Sequence, residues 1–153
     1  MVDFLKSLLS DFDPAALIPD LPSLLQGMEG VLRIAVMAGP LCLLGLGLWY
    51  LLLPPAEANH NFGYRCFWAM SSVEAWQFTQ RIAGLIWSGV GLVMTIVMGV
   101  VCNGYRDLSR EAMVWSAFWA VVCELAVVAI STLIINALVL FFFDRKGVRR
   151  SAE

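Results

Sequence analysis

The chain has 153 residues, 60% of them hydrophobic and 14% charged, with a mean hydropathy of +0.79; charged residues approach a quarter of an ordinary soluble domain, so a membrane protein is expected. At this length about three or four spans with their connections consume nearly the whole chain as one compact unit. The net charge of -2 and pI near 5.3 leave no basic stripe for nucleic acid, and that class of partner is excluded.

Residues 1–28 begin with Asp3 and Lys6, not with the basic region of a secretory signal peptide, so the segment reads as retained. Phe4, Leu5, Leu8, Leu9 and Phe12 recur at helical spacing opposite Asp3, Lys6, Ser7, Asp11 and Asp13. That pattern predicts a short amphipathic helix lying at the lipid interface, or one docked on the spans. Pro14, Pro19 and Pro22 then punctuate the chain, and Pro22 fits the first turn of the following helix.

The first span is expected over about 31–53, where every residue except Arg33 is apolar or small. At about 1.5 Å per residue this run exceeds a hydrocarbon core of about 30 Å. Gly39-Pro40 near its middle predicts a kink, Trp49 and Tyr50 suit the interface, and Pro54-Pro55 stops the helix. Further spans are expected over about 82–102 and 113–143, the latter long enough to tilt. In the second, Gly84, Ser88, Gly91, Thr95 and Gly99 share one helical face and predict a close helix–helix interface. Residues 144–153 form a basic tail. Three crossings place that tail and the 54–81 connector on one side, with six basic residues (Arg65, Arg81, Arg145, Lys146, Arg149, Arg150) against four (Lys6, Arg33, Arg106, Arg110). The expected orientation is therefore amino terminus outside and carboxy terminus cytoplasmic.

Cys42, Cys66, Cys102 and Cys123 make no CxxC pair and read as apolar packers and loop thiols; no metal site is expected. The single His60, in a polar linker, reads as solvated.

The connector is denser in chemistry than its flanks. Ser71-Ser72-Val73-Glu74 has the form of a capping box and predicts a helix starting near Ser72. With no breaker beyond it, the helix runs into the second span as one rod and carries Trp76, Gln80 and Gly84 on one stripe. Gly63 is expected at a turn or a close backbone approach. Arg65, among Tyr64, Cys66, Phe67 and Trp68, has three readings: lipid-phosphate anchor, aromatic stacking, or pairing with Glu74.

Asn61-Phe62-Gly63-Tyr64-Arg65, then Ser71-Ser72-x-Glu74-x-Trp76 and Gln80-Arg81-x-x-Gly84, resemble the signature of the bacterial SdpI family. The resemblance covers roughly residues 31–143 and departs at Cys66-Phe67, where the family commonly has Thr-Pro. It implies a multi-pass bacterial inner-membrane protein of the immunity type. The founding member protects its cell against a secreted peptide toxin and signals by holding a transcriptional repressor at the membrane; it carries additional spans, and the similarity covers its carboxy-terminal half. The resemblance makes Asn61, Gly63, Tyr64, Arg65, Ser71, Glu74, Trp76, Gln80 and Gly84 the candidate binding residues, with Arg65 and Trp76 as a contact surface at the headgroups.

Glu124 lies inside the third apolar run, where an unpaired carboxylate costs several kcal/mol, and it is expected to face the bundle interior. Arg33 is its candidate partner in the outer half of the membrane, and Ser131 shares its face. The residue reads either as a binding or proton-sensitive site or as a neutral, hydrogen-bonded packing group, and Asn136 has the same two readings with helix-to-helix glue favoured. No nucleophile elbow, phosphate loop or HExxH helix is present, so catalysis and cofactors are not expected.

The sequence therefore predicts an all-helical membrane protein with an interfacial amino-terminal helix and three spans. Its expected partners are the bilayer, a peptide toxin or regulatory protein, and further copies of itself. The alternatives are a small oligomeric transporter or channel subunit and an accessory subunit of a larger membrane complex.

Overall fold

The structure, a computed structural model, describes residues 21–56, 58 and 63–150. The interfacial helix expected within residues 1–28, together with His60 and Asn61, lies outside these residues apart from the last few positions. Leu21–Met28 already belong to the first long helix.

Three long helices account for most of the described chain: α1 (Leu21–Leu52), α2 (Val73–Asn103) and α3 (Arg110–Phe142). Short 3-10 turns at Ala69–Ser71 and Gly104–Asp107 precede and follow α2. All three long helices contain stretches apolar and long enough to cross a membrane: Gly27–Leu52, Val73–Asp107 and Arg110–Phe142. Their outward faces carry large apolar side chains, among them Ile34, Leu85, Val100, Trp119, Leu125 and Leu133. A water-soluble bundle would bury such residues; hydrocarbon is the solvent in which this surface costs nothing.

Pro22 sits in the first turn of α1, and the helix ends at Leu52 ahead of Pro54-Pro55, as the sequence predicts. The helix continues through Pro40, whose side is fully buried. The connector emerges from α1 and leads into α2 without a break between the loop and the span.

Small residues bring α1 and α2 together. A Cβ on Gly47 would overlap the backbone of Trp87 and Ser88, one on Gly84 would come within 2.8 Å of Leu51 N, and one on Gly91 within 2.5 Å of Leu44 N. The predicted stripe on α2 is thus an interface within this chain, and Gly47 is its counterpart on α1. Gly99 departs from it: a Cβ there meets nothing within 4 Å. Against α3 both helices pack less intimately, through clusters centred on Val36, Met98 and Met113 at one end and on Tyr64, Ala83 and Ile135 at the other.

The connector and the carboxy-terminal tail lie at the same end of the bundle. Ser72 Oγ donates to the Gly147 carbonyl at 2.7 Å, Phe143 is buried beside Ala75 and Val139, and Phe143 pairs with Arg149 in an isolated antiparallel bridge.

Candidate functional site: the connector and the buried carboxyl

The connector is a folded cap. Gly63 adopts φ 115°, a conformation that L side chains avoid, and a Cβ there would meet the Trp76 ring within 2.6 Å. The turn it makes presents the Tyr64 peptide to α2. Tyr64 N–H donates to Gln80 Oε1 at 2.8 Å, and Gln80 Nε2 donates back to the Tyr64 carbonyl at 2.8 Å. A wholly buried glutamine side chain therefore replaces both partners that a strand or helix would have given this residue. On the far side, Tyr64 Oη donates to Asn136 Oδ1 of α3 at 2.8 Å, and its ring packs edge-on against Trp87 with centroids 5.3 Å apart. Trp87 Nε1 in turn donates to Ser131 Oγ at 3.2 Å. One loop residue joins two spans.

Trp76 completes the cap. Its ring is fully buried under Gly63, and its Nε1 donates to the Pro55 carbonyl at 2.9 Å, tying the exit of α1 to the start of α2. Trp76 is therefore not the headgroup contact surface that the sequence predicts; a large ring with one donor is stable here because the loop covers its face and accepts its hydrogen bond. The capping register also differs by one residue. The N-cap is Ser72, whose Oγ accepts from Ala75 N, while Ser71 Oγ turns back to the Trp68 carbonyl. Glu74, one position short of closing a capping box, lies on the surface with Arg149 Nη1 at 3.9 Å from its carboxylate. Arg65 is exposed and makes no ion pair with Glu74.

Burial shapes the titration of the cap. The Tyr64 phenol is pushed up to about 12, first by burial and then by the neighbouring Cys66, with the Asn136 hydrogen bond opposing. Burial likewise pushes the Cys66 thiol up, against backbone hydrogen bonds involving Ala69 and Trp68. In the tail, Asp144 is held below the usual carboxylate range, first by its hydrogen bond with the Val148 amide.

The second polar region lies inside the bundle. Glu124 is 14 residues beyond the start of α3, about 21 Å along the helix at about 1.5 Å per residue. It faces α1 at Gly39, where a Cβ would stand 2.6 Å from Oε2. The carboxyl thus lies a little to the Arg110 side of the midpoint of α3 and near the middle of α1. Its expected partner is taken: Arg33 Nη2 pairs with Glu29 Oε1, 2.6 Å away on the same helix. Ser131 is buried as Glu124 is, seven residues along the same face, and bonds to Trp87 and the Val128 carbonyl. Among the described residues no group of His, Cys, Asp or Glu could hold a metal ion.

Of the motif residues, Gly63, Tyr64, Trp76, Gln80 and Gly84 converge to build the cap and the α1–α2 contact, whereas Arg65, Ser71 and Glu74 remain on its surface. Sequence reasoning missed Ser72 as the cap, Trp87 as the surface on which Tyr64 rests, Gly47 and Tyr105. The Gly47 signal was available, since Gly45 and Gly47 both stand in the first span, but only the fold shows which of the two meets α2.

These features define a helical membrane protein of three spans whose first two are joined by a structured cap. The profile of the SdpI/YfhL protein family matches residues 56–136, more than half of the chain. The chain belongs to that family. The match takes in the connector, α2 and α3 through Asn136, and leaves α1 outside, so it is narrower than the resemblance over 31–143. Neither curated proteins nor solved structures gave a match.

Proposed function

We propose that this is a bacterial inner-membrane protein of the immunity and signalling type, which binds a secreted peptide toxin or a regulatory protein and performs no chemistry on it. Membership of the SdpI/YfhL family supports the class. The observation that carries the binding role is the division of labour in the connector. Its interior is fixed by Gln80, Tyr64 and Trp76, and this rigid base presents Arg65 together with Phe67, which is 76% exposed. An exposed aromatic beside an exposed arginine is the composition that protein contacts favour. In the proposed orientation the connector and the basic tail are cytoplasmic and the amino terminus is outside, in keeping with the excess of basic residues at the connector end.

The test is survival. Cells lacking the protein become sensitive to a secreted peptide, and restoring the wild-type chain protects them. A double Arg65→Ala and Phe67→Ala variant, inserted at wild-type level, fails to protect. Protection by that variant would place recognition elsewhere; no sensitivity on deletion would remove the immunity reading. The oligomeric-transporter alternative loses part of its support, because the small-residue face of α2 that would mediate self-association is covered by α1 over Gly84, Ser88 and Gly91.

A further inference from the structure

Between the middle of the bundle and the end opposite the cap, several buried polar atoms have no partner among the described residues: Glu124 Oε1, Tyr105 Oη and Arg33 Nε. Glu124 is 5% exposed and Tyr105 2%. They come from three different elements, α3, the turn after α2, and α1, and they lie close enough for Tyr105 to feel the charge of both Arg33 and Glu124. Cys102 feels the same two charges, and Ser116 lies beside the tyrosine hydroxyl.

A carboxyl kept for packing alone has its oxygens bonded, since an unpaired buried polar atom costs about 1–3 kcal/mol. Gln80 and Asn136 in the same protein show what such a packing group looks like. Glu124 does not look like them. We propose that Glu124 is a proton-exchanging site in the membrane interior, with Tyr105 and Arg33 placed to relay and tune the exchange from the end opposite the cap.

The mouth of the route is an open cleft of about 550 Å³ lined by Glu29, Gly30, Arg33 and Arg106. Arg33 lines this cleft, and buried Tyr105, in the cluster with Val36 and Met113, is near enough to feel both Arg33 and Glu124. The charges facing the site are few. From α1, Arg33 is paired with Glu29; from α2 and its turn come Cys102, Tyr105 and, at the cleft, the cation Arg106; α3 contributes Ser116 and Ser131, both neutral, in addition to Glu124 itself. A proton arriving from a water-borne acid forms an O–H bond on Glu124 while the donor's own O–H breaks, and the interior goes from one uncompensated negative charge to none. The reverse step restores that charge. No other ligand is needed, and the flexible end of Glu124 beside Gly39 leaves room for the two forms to seat differently, since glycine offers no side chain to block it.

The test uses the full chain in vesicles of phosphatidylcholine and phosphatidylglycerol, with infrared difference spectra recorded as the pH is stepped. Among the bands of the twelve carboxyl side chains, wild-type protein gives one titrating carbonyl component that Glu124→Gln abolishes and Glu124→Asp keeps with a moved midpoint. Tyr105→Phe and Arg33→Gln shift the midpoint by about one pH unit or more. A band unchanged in Glu124→Gln, or a Glu124 that stays in one state over the whole accessible range, overturns the proposal. Circular dichroism in the same vesicles establishes that each variant is folded, and if Glu124→Gln is not, the Glu124→Asp midpoint decides. Because no peptide toxin enters the measurement, its outcome is independent of the immunity reading.

Discussion

The two ends of this bundle solve the same problem in opposite ways. Near the connector, the Tyr64 peptide, the Gln80 amide and the Trp76 indole are all removed from water, and each finds its partner. Toward the other end, Glu124 and Tyr105 are also removed from water and Arg33 is partly so, yet each keeps a polar atom without one. Burial alone therefore does not distinguish scaffold from site in a membrane protein. Satisfaction separates the two ends: a complete network rigidifies, whereas an incomplete one is retained at a cost that packing does not explain.

This contrast can be broken by mutation. The largest effect is expected where backbone meets backbone. Gly47→Val forces α1 off Ser88 and should cost about 3 kcal/mol or more, read as loss of folded protein in detergent unfolding curves. Gln80→Leu keeps the volume but orphans the Tyr64 N–H and carbonyl, and a loss of about 2–4 kcal/mol is expected in the same assay. Tyr64→Phe removes the bond to Asn136 and should cost about 1 kcal/mol.

The Tyr64 phenol adds a pH signature. Its titration is raised from 10.0 to about 12 on folding, so the neutral phenol is favoured in the native cap. That contribution is complete below about pH 10 and lost as pH rises toward about 12. Wild-type stability should fall across this alkaline window more steeply than that of Tyr64→Phe; parallel curves would contradict the buried placement. The smallest effect sharpens the comparison by its sign. Glu124→Leu removes an unpartnered carboxyl and should leave stability unchanged or raise it by about 1 kcal/mol. A loss as large as that of Gln80→Leu would mean that Glu124 belongs with the scaffold.

Much of this was legible in the chain itself. Apolar runs too long for any core, ended by Pro54-Pro55 and restarted after a serine pair, dictate helices that cross lipid, because an unpaired backbone has no other stable form there. The positive φ of Gly63 and the close packing of Gly84 and Gly91 were likewise foreshadowed by the residue type. The sequence could not reveal that Gln80 serves the backbone of Tyr64 across 16 residues, or that Tyr64 reaches Asn136 across 72. Nor did it show that Trp76 faces inward or that Glu29 claims Arg33. Hydropathy and helical period are local properties, and they determine which segments enter the membrane. Which polar groups meet, and which are left unmet, depends on the angles and depths at which the three helices pack, and these were decided only when the tertiary contacts formed.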